Sequence, residues 1–169
     1  MADIYLIANG AMPTTAALVK VTTGAVIKTM LQVKLGTQSM GRVVEWGISF
    51  DGTAAATPIQ CELIETGTVF ATVTAHVATG IVKFGDPNAV DPTTSAFILT
   101  TTGTGFTASA EGTPTASRLF DAQLVAPTNQ YAKQFPLGRE PRINVSTALR
   151  IRVTAAAAVN CYCYVIIEV

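Results

Sequence analysis

Apolar and polar positions alternate with a period of two along most of this chain, the spacing of strands that bury one face. Between residues 25 and 35, one face reads Ile27, Thr29, Leu31, Val33 and Leu35, and the other Val26, Lys28, Met30, Gln32 and Lys34. Between 42 and 50, Val44, Trp46, Ile48 and Phe50 fall on one face, and Val43, Glu45, Gly47 and Ser49 on the other. Further strands are predicted at 58–65, 69–77, 81–84, 96–100, 106–110, 119–125, 131–135, 148–154 and 159–169. Gly, Pro and Asn/Asp clusters such as Asp51-Gly52 and the stretch 85–92 punctuate them. The last run is apolar on both faces, which places it at the centre of a sheet or at a subunit contact.

Nine to eleven short strands with regular turn signals predict an all-β fold, a single β-sandwich of jelly-roll or Greek-key type over residues 21–169. No helix is predicted. The alanine clusters Ala54 to Ala56 and Ala155 to Ala158 are too short to nucleate one. The first twenty residues differ in texture, with weak alternation around Ala8 to Thr15. They suit an extended N-terminal arm on a neighbouring subunit, and equally a frayed terminus.

Composition sharpens the picture. A chain of 169 residues buries about 69% of its unfolded surface on folding, enough for a core without disulfides or metal. Hydrophobic residues make up 49% and charged residues 13%, with a formal net charge of zero. So little charge favours association with other proteins. It argues against nucleic acid as the main ligand, because phosphate binding needs a basic stripe and only Arg139, Arg142, Arg150 and Arg152 cluster. No apolar run has the length of a membrane span. The opening Met1 to Tyr5 lacks the basic start and apolar core of a signal peptide, so synthesis in a cytoplasm is expected.

Candidate chemistry is sparse. Cys61, Cys161 and Cys163 suit reduced, buried thiols, the last two on one face of a strand. His76 is the only histidine, on the more polar face of its strand, without a nucleophile at a recognisable spacing. Asp86, Asn88 and Asp91 carry hard oxygens that suit calcium, although Asx residues before Ala or Pro are ordinary turn formers. Gly103-Thr104-Gly105 lacks the lysine and helix of a phosphate loop. Tyr131, Phe135, Tyr162 and Tyr164 suit either a sugar-stacking platform or packing. Neither catalysis nor a cofactor is expected.

Two stretches carry a resemblance. One is Arg42-Val43-Val44-Glu45-Trp46-Gly47-Ile48-Ser49-Phe50-Asp51-Gly52 with Ala55 to Leu63 after it. The other is Gln134-Phe135-Pro136-Leu137-Gly138-Arg139-Glu140-Pro141 with Leu149 to Thr154 and Ala158 to Cys161 after it. Together with Ile27 to Gln32, these resemble blocks of small virion structural proteins of tailed bacteriophages, of the capsid decoration or cement type. The resemblance covers about half the chain. It implies a jelly-roll-like sandwich that assembles, often as a trimer, on the outside of a head and binds across the major capsid protein lattice. The region 69–117 lies outside it, and in such a protein would be the variable, outward-facing part. The interface residues expected from this reading are Met12, Pro13, Phe135, Pro136, Leu137, Arg139 and Arg142. Another virion part (a head fibre base or tail protein) and a carbohydrate-binding sandwich are the competing expectations.

Overall fold

The computed structural model describes residues 2–37, 40–92 and 96–169. Its strands are β1 (Ile4–Ala8), β2 (Val21–Thr22), β3 (Ile27–Lys34), β4 (Gly41–Phe50), β5 (Ile59–Thr66), β6 (Thr72–Ala75) and β7 (Ile81–Lys83), then β8 (Gly105–Ala110), β9 (Ser117–Val125), β10 (Gln130–Gln134), β11 (Arg142–Ile143), β12 (Ala148–Thr154) and β13 (Asn160–Glu168). One 3-10 turn, Ala78–Gly80, precedes β7. Two antiparallel sheets pack face to face as a β-sandwich. The first sheet runs β10-β4-β13-β1-β7, with β11 also on β4 and β2 on β13; the second runs β6-β8-β3-β12-β5-β9.

The topology is that of a jelly roll. Eight strands form the frame: β1, β3, β4, β5, β9, β10, β12 and β13. Numbered one to eight in chain order, they lie as six-three-eight-one in the first sheet and two-seven-four-five in the second, the two interlocked Greek keys of that fold. The remaining strands β6, β7 and β8 all come from the long connection between β5 and β9. They extend the second sheet beyond β3 and the first beyond β1, so the region 69–117 is built into one flank of the sandwich.

Alternation in the sequence converts directly into the core. Trp46, Ile48 and Phe50 of β4, Cys161, Cys163 and Val165 of β13, Leu31 and Val33 of β3, and Leu149, Ile151 and Val153 of β12 all face the space between the sheets. β13, apolar on both faces, sits third of five between β4 and β1, as its composition predicts. The three cysteines are buried free thiols.

Four expectations change. Residues 4–8 are not an arm: β1 lies between β13 and β7, with Tyr5 and Ile7 fully buried. The exposed, strandless part of the N-terminal region is confined to residues 11–20. In β4 the pairing with β13 slips between Ile166 and Ile167, so that Glu45 and Val43 have partners and Val44 bulges. A bulge flips the faces, and Val43, expected outside, is buried while Val44 is half-buried. The strand expected at 96–100 reduces to one bridge between Phe97 and Leu35; residues 93–95 lie outside the described set. The outer face of the second sheet is less polar to solvent than its sequence suggests. Gln32 and Arg150 are buried, because the backbone of Val69, Ala71, Gly103 and Glu111 folds over them and accepts their side-chain hydrogen bonds.

Candidate docking surface

β10 and β11 are two halves of one edge strand along β4. Gln134 pairs with Glu45 and Arg142 with Arg42. Between them the chain leaves the sheet at the Val44 bulge. The N–H of Phe135 donates to the Val44 carbonyl at 2.9 Å, and the N–H of Val43 donates to the Pro141 carbonyl at 2.9 Å. Residues 136–140 therefore leave and rejoin the sheet at adjacent residues of β4, clamped at both feet.

The excursion is itself a tight turn. The N–H of Arg139 donates to the Pro136 carbonyl at 2.9 Å, and Gly138 sits at φ +80°. A positive φ at the third position is what a type II turn requires, and glycine adopts it without strain. The N–H of Gly138 also donates to the Glu140 carboxylate at 3.0 Å. Backbone hydrogen bonds at Glu140 and Gly138, with Arg42 and Arg142 nearby, hold that carboxyl below its ordinary pKa. The second residue of the turn, Leu137, is 95% exposed.

Arginines cluster at the feet of this turn. Arg139 and Arg142 are exposed on the turn and its foot. Arg42 pairs loosely with Glu168 at 3.8 Å. Arg118 donates to the Arg142 carbonyl at 2.7 Å and pairs with buried Glu65. Four of the six arginines thus gather at one corner. A shallow hollow of about 170 Å³ opens beside them, lined in part by Met40, Arg42 and Arg142, and Met40 is largely exposed. Phe135 is half-buried against the core, with the Lys133 ammonium 5.3 Å from its ring centre.

Two buried carboxylates hold the corner. Asp121 of β9 accepts hydrogen bonds from Trp46 at 3.1 Å, Tyr131 at 2.9 Å and Lys133 at 3.0 Å. Glu65 of β5 accepts from Arg118, from the N–H of Asn144 at 2.9 Å and from the Thr147 hydroxyl at 2.6 Å. The Asp121 bonds cross between the two sheets, and Glu65 ties β9 and the connection 144–147 to β5, so the strands beneath the turn are held. Burial, and then its bond to Asp121, pushes the Tyr131 phenol up to about 12.

The expected interface residues divide. Phe135, Pro136, Leu137, Arg139 and Arg142 come together at this corner. Met12 and Pro13 do not join them. They lie in the segment 11–20, whose Leu18 and Lys20 line a hollow with Phe50, Asp51 and Tyr162 at the other end of β4. At the rise of a strand, that end is roughly 20 Å away. Met40, Arg42, Arg118, Glu65 and Asp121 complete the corner and were not singled out by sequence reasoning. Asp121 and Glu65 did leave a trace, as acids inside alternating apolar strands.

Other candidates resolve as follows. Tyr162 and Tyr164 are neighbours on the outer face of the first sheet, with ring centres 6.1 Å apart, whereas Tyr131 points inward against Trp46. The four aromatics therefore make no single platform. His76 is buried, with Nε2 2.7 Å from the Ala8 carbonyl and its ring against Phe106; burial lowers its pKa. Asp86 accepts the N–H of Asn88 at 2.8 Å, as in an ordinary Asx turn. Among the described residues, no group of three His, Cys, Asp or Glu side chains is placed to hold a metal ion. A hollow of about 460 Å³ lies at the Asp51 end and is lined mainly by alanines and threonines. A scan against protein-family models, a search of curated proteins and a search of solved structures each found no match for this chain.

Proposed function

We propose that this chain is a non-enzymatic bacteriophage virion structural protein, a decoration protein that binds the outer surface of the head and stabilises the major capsid protein lattice. The observation that carries the reading is the clamped turn at 136–140, which holds Leu137 out in solvent at a corner where Arg42, Arg118 and Arg142 meet. Arginine is enriched at protein interfaces, and an apolar side chain held fixed in solvent gains from being buried in one. The low charge, the zero net charge and the resemblance of the blocks around Trp46 and Pro136 point the same way. The jelly roll recurs in viral capsid proteins and also in lectins, so the fold by itself does not choose between them.

The physical logic is mass action. A protein that binds the assembled lattice and not the free capsid subunit stabilises the lattice in proportion to the logarithm of its concentration over Kd. Self-association as a homotrimer would multiply contacts across a symmetric junction. The partners in this reading are the major capsid protein and further copies of this chain, with neither nucleic acid nor membrane involved. The location is the capsid exterior, after synthesis in the host cytoplasm. A tail or head-fibre component would use the same turn on a different virion protein.

The Tyr162–Tyr164 pair on the open face of the first sheet favours a second reading, a carbohydrate-binding sandwich. Heads assembled without this chain distinguish the two. Adding the purified protein should raise the temperature at which such heads open, and the rise should saturate. An unchanged opening temperature, with glycan binding that is lost in Tyr162→Ala, would replace the first reading by the second.

A further inference from the structure

The docking reading says that the 136–140 turn meets another protein; the chemistry around the turn says what that surface looks like. We infer that Leu137 inserts into an apolar socket whose rim carries carboxylates, which pair with Arg139 and Arg142.

Leu137 is suited to insertion because its surroundings leave it nothing else to do. It is 95% exposed, while the turn that carries it is fixed by two strand hydrogen bonds and two internal bonds. Preorganisation of this kind lowers the entropy cost of binding, since the loop is already in its bound shape. A single leucine on a floppy loop would lose most of what its burial gains.

The rim follows from charge. Arg42, Arg118, Arg139 and Arg142 stand at this corner against the carboxylates of Glu65, Glu140 and Glu168. Glu65 is buried under Arg118, and Glu140 is turned back onto the Gly138 N–H. Both acids are thus used within the chain, and Glu168 sits loosely opposite Arg42. Arg139 and Arg142 remain exposed, Arg139 in the turn two residues after Leu137 and Arg142 where the chain rejoins β4. A complementary partner offers carboxylates at that spacing, since like charge opposite exposed arginines is strongly disfavoured. Guanidinium groups also favour two-pronged pairing with carboxylates. Met40, in the hollow with Arg42 and Arg142, adds exposed apolar surface at this corner.

Three proteins test this against heads assembled without the chain: wild type, Leu137→Ser, and the double variant Arg139→Glu with Arg142→Glu. Binding is read by co-sedimentation over a salt series. Leu137→Ser should weaken binding roughly tenfold to a hundredfold at all salt concentrations. The charge reversal should weaken it by a similar factor at 50 mM NaCl, with the gap to wild type closing near 0.5 M as charges are screened. Both variants should keep the wild-type circular dichroism and unfolding midpoint, because these side chains face solvent. Wild type that fails to bind overturns the docking reading itself. Wild type that binds, with both variants binding equally well, overturns this inference and leaves the docking reading standing. Loss in Leu137→Ser alone, with no effect of charge reversal at any salt, overturns the carboxylate rim.

Discussion

The indole N–H of Trp46 donates to the Asp121 carboxylate at 3.1 Å, joining the middle of the first sheet to the edge strand of the second. Tyr131 and Lys133 close on the same carboxylate from β10. Removing Asp121 would leave the buried Trp46 indole N–H without its acceptor, while Tyr131 and Lys133, which are partly exposed, can turn to solvent. Asp121→Ala is therefore expected to cost about 2–3 kcal/mol, chiefly for the buried indole N–H left unsatisfied, since the partly exposed Lys133 ammonium is screened by water. Urea unfolding measures it. A loss below about 1 kcal/mol would mean that the corner relaxes and is not held by this carboxylate.

Gly47 makes a different kind of contact. A Cβ there would lie 2.5 Å from Cε1 of Tyr164, whose ring crosses the glycine and whose hydroxyl donates to Glu45. Gly47→Ala should push the ring away, break that bond and cost about 1–3 kcal/mol, as overpacking does. In a Tyr164→Ala background the same substitution should cost about 1 kcal/mol less, since neighbouring changes couple by that order. Equal costs in the two backgrounds would show that the ring is not what excludes a side chain at residue 47.

His76 ties the other flank. Its Nε2 lies 2.7 Å from the Ala8 carbonyl, linking β1 to the segment after β6. Burial lowers its pKa below the ordinary 6.5, so the folded chain takes up a proton at lower pH than the unfolded chain. Between those two values the unfolded state binds more protons, and stability falls as pH falls. The expected loss begins near pH 6.5, with a slope of at most about 1.4 kcal/mol per pH unit. Thermal unfolding from pH 7.5 to 5.5 measures it. His76→Gln, which keeps a donor near Ala8 and cannot titrate, should remove the slope; an unchanged slope would assign it to other groups.

The thiols make a simple check on the core. Cys61 and Cys163 are pushed up, Cys61 to about 12, chiefly by burial, and thiolate is the reactive form. Because all three cysteines are also buried, an aromatic disulfide reagent at pH 8 should label none of them in the native protein within minutes, and all three once guanidinium unfolds it. Fast native labelling would contradict the packing of β5 against β13.

The jelly-roll frame was legible because β3, β4, β5 and β12 alternate and carry one apolar face each, and because β13, apolar on both faces, announces a central strand. β1 was not, since Ile4-Tyr5-Leu6-Ile7-Ala8 has no polar partner face; it is flanked by strands on both sides and has no alternation to display. Arg150 looked like a surface residue because nothing local reveals that Val69 and Glu111, far along the chain, cover it. The same limit applies to the docking corner. Pro136 and Gly138 announce a turn by their own conformational preferences, and Leu137 between them stands out. Met40, Arg42 and Arg118 reach the turn only through strand pairing and the fold, and no local pattern marks them. The Val44 bulge, which sets where the turn leaves the sheet, is likewise a property of the β4–β13 pair and not of either strand alone.

The most direct test of the account is electron cryomicroscopy of heads assembled without this chain and then incubated with it. Added density on the outer surface at lattice symmetry axes, fitted by the sandwich with the Pro136–Glu140 turn against the major capsid protein, is the predicted result. Heads without added density at saturating protein would contradict a decoration role, and density in which that turn points to solvent would place the contact elsewhere on the molecule.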